Sequence, residues 1–179
     1  MIWDSKSLEK ALGVRVAANI EAGQVKFNSM DVDKDDIFIA LPGKRDGHEF
    51  ANDALSRGAR CAIVSKDIPN VDRNKLINVD DTMLALNNLA EYKRTNSKAK
   101  FIAVTGTVGK TSTREIIKTM LLAYGKTYSS VKSFNNYLGV PLTLASMPDD
   151  TEYAVIERRS RGRQRSGGHQ AGRHQRGAR

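Results

Sequence analysis

The residues with the plainest chemical potential are Gly106, Thr107, Val108, Gly109, Lys110, Thr111 and Ser112, within the run Thr105-Gly-Thr-Val-Gly-Lys-Thr-Ser-Thr113. Two glycines let a backbone turn tightly and approach a ligand, so that successive N–H groups and the positive end of a following helix can point at one phosphate. Lys110 brings a mobile positive charge toward terminal phosphates. The Thr111 hydroxyl stands where a Mg²⁺ bridging those phosphates needs an oxygen ligand. The general pattern G-x-x-x-x-G-K-[ST] asks for glycine where this chain has Val104. The run is therefore a shorter variant, T-G-T-x-G-K-T, and it predicts nucleotide binding in preference to a chance Gly-Lys-Thr.

Two further places bear on the same chemistry. Glu152-Tyr-Ala-Val-Ile-Glu157 reads as a strand, and an acid at the carboxyl end of a parallel strand sits at the ligand edge of the sheet. Glu157 is thus either a second Mg²⁺ ligand or an ordinary strand-end glutamate. Asn135 and Asn136 precede the Gly139-Val-Pro141 helix start; from the residues alone they cap that helix sooner than they reach a ligand.

These residues need positioning elements, and the pattern supplies them. The uncharged run 101–104 is a strand entering the loop. Beyond the loop a helix is expected from Lys110 to Tyr124, closed by Gly125, with Ile116, Ile117, Met120 and Leu121 as its buried stripe. Tyr128 to Val131 reads as a neighbouring strand. Upstream, Ser5 caps a helix ending at Gly13, and a hairpin region follows. Strands are expected at 25–27, 37–41, 61–64 and 76–79, with a helix over 48–57 carrying Phe50, Ala54 and Leu55 inward. Asp80 and Asp81 open a helix to about Thr95, with Met83, Leu84, Leu86, Leu89 and Ala90 at helical spacing. The fold class is α/β: a small N-terminal α/β domain over 1–80, an incomplete parallel-sheet phosphate-loop domain over 81–157, and a basic segment over 158–179.

An apolar content of 40% is enough for a buried core. The lone cysteine, Cys61, lies in the apolar run Cys61-Ala-Ile-Val64 and reads as a buried strand position, with no partner for a disulfide. No apolar run approaches the roughly 18 residues of a membrane span, and no signal peptide is evident, so a cytoplasmic chain without membrane contact is expected. The net charge of +9 suggests nucleic acid until it is located. Residues 158–179 hold eight arginines and no acid, so the rest of the chain carries only +1. That segment has no apolar residue larger than alanine and is expected to be disordered. It reads as a wrong reading frame or an artefact in preference to an arginine-rich nucleic-acid arm, because it interrupts an unfinished sheet.

The phosphate-loop run, the later run Ser133-Phe-Asn-Asn-Tyr-Leu-Gly-Val-Pro-Leu-Thr143, and Asn28-Ser29 … Asp36-Ile-Phe-Ile-Ala-Leu-Pro-Gly43 … Asp46-Gly-His-Glu-Phe50 together resemble the Mur ligases of peptidoglycan synthesis. The resemblance covers residues from about 25 to 157 and is nearest to the branch that adds D-Ala-D-Ala. It implies an ATP-dependent, Mg²⁺-dependent amide ligase. In such enzymes the carboxylate of UDP-MurNAc-tripeptide takes the γ-phosphoryl group, and the amine of D-Ala-D-Ala attacks the acyl phosphate. It also implies Lys110 and Glu157 as catalytic residues, Thr111 and Glu157 as Mg²⁺ ligands, and Asn135 and Asn136 near the nucleotide. Ser29, Gly43, Asp46, Gly47 and His48 would hold the UDP end of the substrate.

A cytoplasmic monomer with no nucleic-acid partner is expected. Two departures stand out: Met30 where the family commonly has arginine, and a short Lys44-Arg45 approach to Asp46. The family sequence after the glutamate-ending strand is missing beyond Arg158, so the chain is expected to be an inactive fragment. The rival readings are a diaminopimelate-adding or folylpolyglutamate-type ligase, and a nucleotide-binding protein with a nucleic-acid-binding arm.

Overall fold

The computed structural model describes residues 1–129 and 138–157. The expectations for Asn135, Asn136, Val131 and residues 158–179 lie outside the described residues.

The chain opens with β1 (Trp3–Asp4) and α1 (Ser5–Leu12), then β2 (Glu21–Ala22), which pairs antiparallel with β1. The expected hairpin is thus a two-residue pairing across α1. The N-cap is Asp4 and not Ser5: Asp4 accepts from the Ser7 N–H at 2.7 Å, and Ser7 accepts from the Asp4 N–H, a reciprocal capping box. Ser5 instead donates to the Ala17 carbonyl and accepts from the Ile20 N–H, pinning the returning loop.

Next come β3 (Val25–Lys26), β4 (Ile37–Ile39), α2 (Ala51–Ser56), β5 (Cys61–Val64), β6 (Leu76–Asn78) and α3 (Thr82–Asn96). The four strands form one parallel sheet in sequence order. Alternation along them divides two cores. Ile37, Ile39, Cys61, Ile63 and Ile77 face α1 and α3, while Phe38, Ala62 and Val64 face α2. The helix expected over 48–57 is broken into a 3₁₀ turn at Gly47–Phe50 and then α2. Leu84 on α3 is exposed, and buried Lys93 takes a place on the inner face.

Cys61 is fully buried, and burial pushes its thiol up to about 12. A thiol reagent at neutral pH is expected to leave the folded chain unmodified and to label it once urea unfolds it. Labelling of the folded chain at the rate of a free thiol would contradict this placement.

The rest of the described chain comprises β7 (Lys100–Val104), α4 (Lys110–Leu121), β8 (Thr127–Ser129), α5 (Gly139–Ala145) and β9 (Tyr153–Glu157). These strands form a second parallel sheet in the order β7-β9-β8. Helix α4 ends earlier than expected, and its expected stripe is corrected. Ile116 and Met120 are exposed, and the inward line runs through Arg114, Ile117, Lys118 and Leu121. A 3.6-residue period allows either line, and a buried arginine facing Glu157 is invisible to apolar counting. Helix α5 joins the first core through Leu142 and Ala145, so the first sheet is partly covered by sequence that follows the phosphate loop. No helix among the described residues is long and apolar enough to cross a membrane.

Candidate functional site

Strand β7 delivers the chain to Thr105, and α4 begins at Lys110. Between them Gly106 has φ +154° and Gly109, the N-cap of α4, has φ +77°, conformations strained for any residue with a Cβ. Among the described residues no side chain caps this helix at Gly109 and its own first turn holds no acid, so its positive end faces the loop. Lys110 Nζ donates to the Gly106 carbonyl at 2.9 Å, folding its charge over the loop. Thr107, Val108 and Ser112 lie in the loop and first turn, and Val108 is 91% exposed.

Sheet register brings the distant acid to this loop. Val104 pairs with Glu157, so the last residue of β9 stands beside the start of the phosphate loop. Thr111 Oγ1 donates to Glu157 Oε2 at 3.3 Å. A hydroxyl and a carboxylate are hard oxygen donors, and one or two such ligands beside a phosphate suit Mg²⁺, which keeps several waters. Sequence reasoning missed Arg114. Its guanidinium is almost fully buried, with Nη1 3.3 Å from Glu157 Oε2 and Nη2 2.7 Å from Glu115 Oε1. Arg114 holds the Glu115 carboxyl below its usual range.

The expected substrate residues gather at the carboxyl ends of the first sheet's strands. A cleft of about 400 Å³ is lined by Phe27, Asn28, Ser29, Gly43, Gly47 and Arg45, among others including Leu138. Met30 beside it is exposed, and Arg45 stacks over the Phe50 ring at 4.5 Å while pairing with Glu49. Ser29 is buried, and with Arg57 it holds the Asp53 carboxyl below its usual range. Asp46 and His48 line a neighbouring cleft of about 370 Å³ with Gly43 and Lys66.

These two residues also bond to each other. The Ser65 N–H donates to His48 Nε2 at 2.9 Å, so the ring proton belongs on Nδ1, which donates to Asp46 Oδ1 at 2.5 Å. Lys66 and then His48 hold the Asp46 carboxyl well below the usual range. His48 thereby ties the loop after β4 to the loop after β5. Ser65 and Lys66 carried no sequence signal for this role, since only the parallel pairing of β4 and β5 brings them near.

Residues 104–171 match the family model of the Mur ligase middle domain. That stretch belongs to the Mur ligase middle-domain family. The chain is 52% identical, over 157 residues, to the UDP-N-acetylmuramoyl-tripeptide–D-alanyl-D-alanine ligase of Rickettsia prowazekii (strain Madrid E), covering 88% of this chain and 35% of that relative. Among solved structures it resembles the UDP-N-acetylmuramoylalanyl-D-glutamyl-2,6-diaminopimelate–D-alanyl-D-alanyl ligase of Acinetobacter baumannii. That Mur ligase matches with a TM-score of 0.75 and 30% identity over 92% of this chain and 38% of the other. The MurF ligase of Thermotoga maritima, solved in complex with ADP, matches with a TM-score of 0.63 and 30% identity over 79% of this chain and 33% of that one. The chain thus spans about a third of the length of these Mur ligases.

Proposed function

We propose that this chain is the nucleotide-loading and UDP-substrate-holding part of an ATP-dependent amide ligase that joins D-Ala-D-Ala to UDP-MurNAc-tripeptide. Residues 1–80 hold the UDP end of the substrate and residues 81–157 load ATP. The reading is carried by one observation: the Val104–Glu157 register sets a carboxylate 3.3 Å from the Thr111 hydroxyl at the mouth of a phosphate loop. The loop amides and Lys110 bind and orient the β- and γ-phosphates, and Thr111 and Glu157 hold Mg²⁺. The bound cation neutralises phosphate charge, and the chain's own contribution is positioning and a fixed field of N–H dipoles. Ser29, Gly43 and Gly47 shape the cleft that takes the UDP end, while Asp46 and His48 keep its wall in place. The likeness to relatives named for D-Ala-D-Ala addition supports this substrate choice.

Titration calorimetry of ADP with Mg²⁺ tests the reading. A lysine bonded to phosphate contributes about 1.5–3 kcal/mol, so Lys110→Ala is expected to weaken ADP binding by roughly ten- to a hundredfold. Equal affinity in Lys110→Ala and the parent chain would refute the assignment.

A further inference from the structure

The mechanism above makes no use of a buried arginine at its centre. Arg114 lies one turn into α4, its side chain 4% exposed, between two carboxylates on opposite sides. A guanidinium taken out of water is costly unless its donors are matched. Here Nε and Nη2 both donate to Glu115 Oε1, at 3.1 and 2.7 Å, and Nη1 donates to Glu157 Oε2 at 3.3 Å. Glu157 is itself only 10% exposed, and the oxygen that meets Arg114 is the one that accepts from Thr111. Glu115, Arg114, Glu157 and Thr111 thus form one chain of charge-assisted bonds from the surface of α4 to the mouth of the phosphate loop.

We propose that Arg114 is a positioning residue that holds the Glu157 carboxylate beside the Thr111 hydroxyl before a divalent cation arrives, with Glu115 fixing the guanidinium in turn. This rests on the assignment of Thr111 and Glu157 to Mg²⁺. A glutamate at a strand end has several rotamers, and a planar fork anchored on a second carboxylate selects one of them. Lysine offers a point charge and cannot span both acids in the same way. Groups that orient a metal ligand from behind typically change metal affinity by about 10- to 100-fold when removed.

The test measures ADP binding by the 179-residue chain across a Mg²⁺ titration and again in EDTA, with folding followed by circular dichroism. Arg114→Met is expected to raise the Mg²⁺ concentration at half-effect by about tenfold and to leave ADP affinity in EDTA unchanged. Arg114→Lys is expected to recover part of the loss. Glu115→Gln, which leaves Arg114 and Glu157 in place, is expected to give a smaller rise in the same direction and serves if Arg114→Met does not fold. An unchanged Mg²⁺ midpoint in the folded variants, or an equal loss with and without Mg²⁺, overturns the positioning role. A parent chain whose ADP affinity ignores Mg²⁺ overturns the metal assignment itself, an outcome distinguished by the parent measurement alone.

Discussion

Trp3→Ala is expected to lower the stability of this chain by about 3–5 kcal/mol, the range for emptying a buried tryptophan site. Trp3 is 1% exposed and sits near the amino terminus, yet its Nε1–H donates at 2.8 Å to the Ala145 carbonyl at the end of α5. Lys93 Nζ lies 4.6 Å from the centre of the indole ring, donates to the Ile2 carbonyl and pairs with Asp149; the Tyr92 ring stands 5.8 Å away. Removing the indole opens a cavity, takes a partner from a carbonyl and strips a buried ammonium of its aromatic cover. Trp3→Phe keeps much of the apolar volume and loses the N–H, so it is expected to lose less. Urea unfolding followed by circular dichroism is the measurement, because Trp3 is the only tryptophan and its fluorescence vanishes with it. A loss below about 1 kcal/mol would mean that the amino-terminal strand is not fastened to α5 as described.

The second large effect is expected at Gly47→Ala. A Cβ there would stand 2.6 Å from both the N and the O of Leu41 and 2.8 Å from the Ala40 carbonyl carbon. Backbone cannot swing aside as a side chain can, and this backbone is tied: the Gly47 N–H donates to the Leu41 carbonyl and the Ala40 N–H to Ile63. Overpacking of this kind costs about 1–3 kcal/mol, and each kcal/mol lowers Tm by about 2–4 °C in a chain of this size. The displaced Leu41-Pro42-Gly43 segment walls both clefts, so weaker binding of a UDP ligand is expected alongside the lower Tm. Gly43→Ala is the control, since among the described residues its Cβ would approach only the Arg45 carbonyl, at 3.4 Å. Similar Tm losses in the two variants would show that close approach at Gly47 is not the cause.

These two cases mark where sequence reading reached its limit. Gly47 was expected only through a resemblance to the family's first domain, and the backbone contact that demands glycine involves a segment six residues away and folded back. Asp46 and His48 were expected from the same resemblance, with no bond between them foreseen. Their bonds to Ser65 and Lys66 required the register of β4 beside β5.

What the sequence determined by itself was local: the strand, the loop with two glycines, the lysine and hydroxyls opening α4, the capping acid before α3 and the buried run at Cys61. Each depends on backbone geometry and side-chain chemistry within a few residues, and such information is written contiguously. Tertiary structure decided which face of α4 turns inward: Ile116 and Met120 of the expected stripe are exposed, and the inward line includes Arg114, whose partner Glu157 lies 43 positions away. It also decided that Trp3 would meet Ala145 and that Glu157 would stand beside Val104. Those contacts follow from sheet order and helix docking, which no short stretch of the chain encodes.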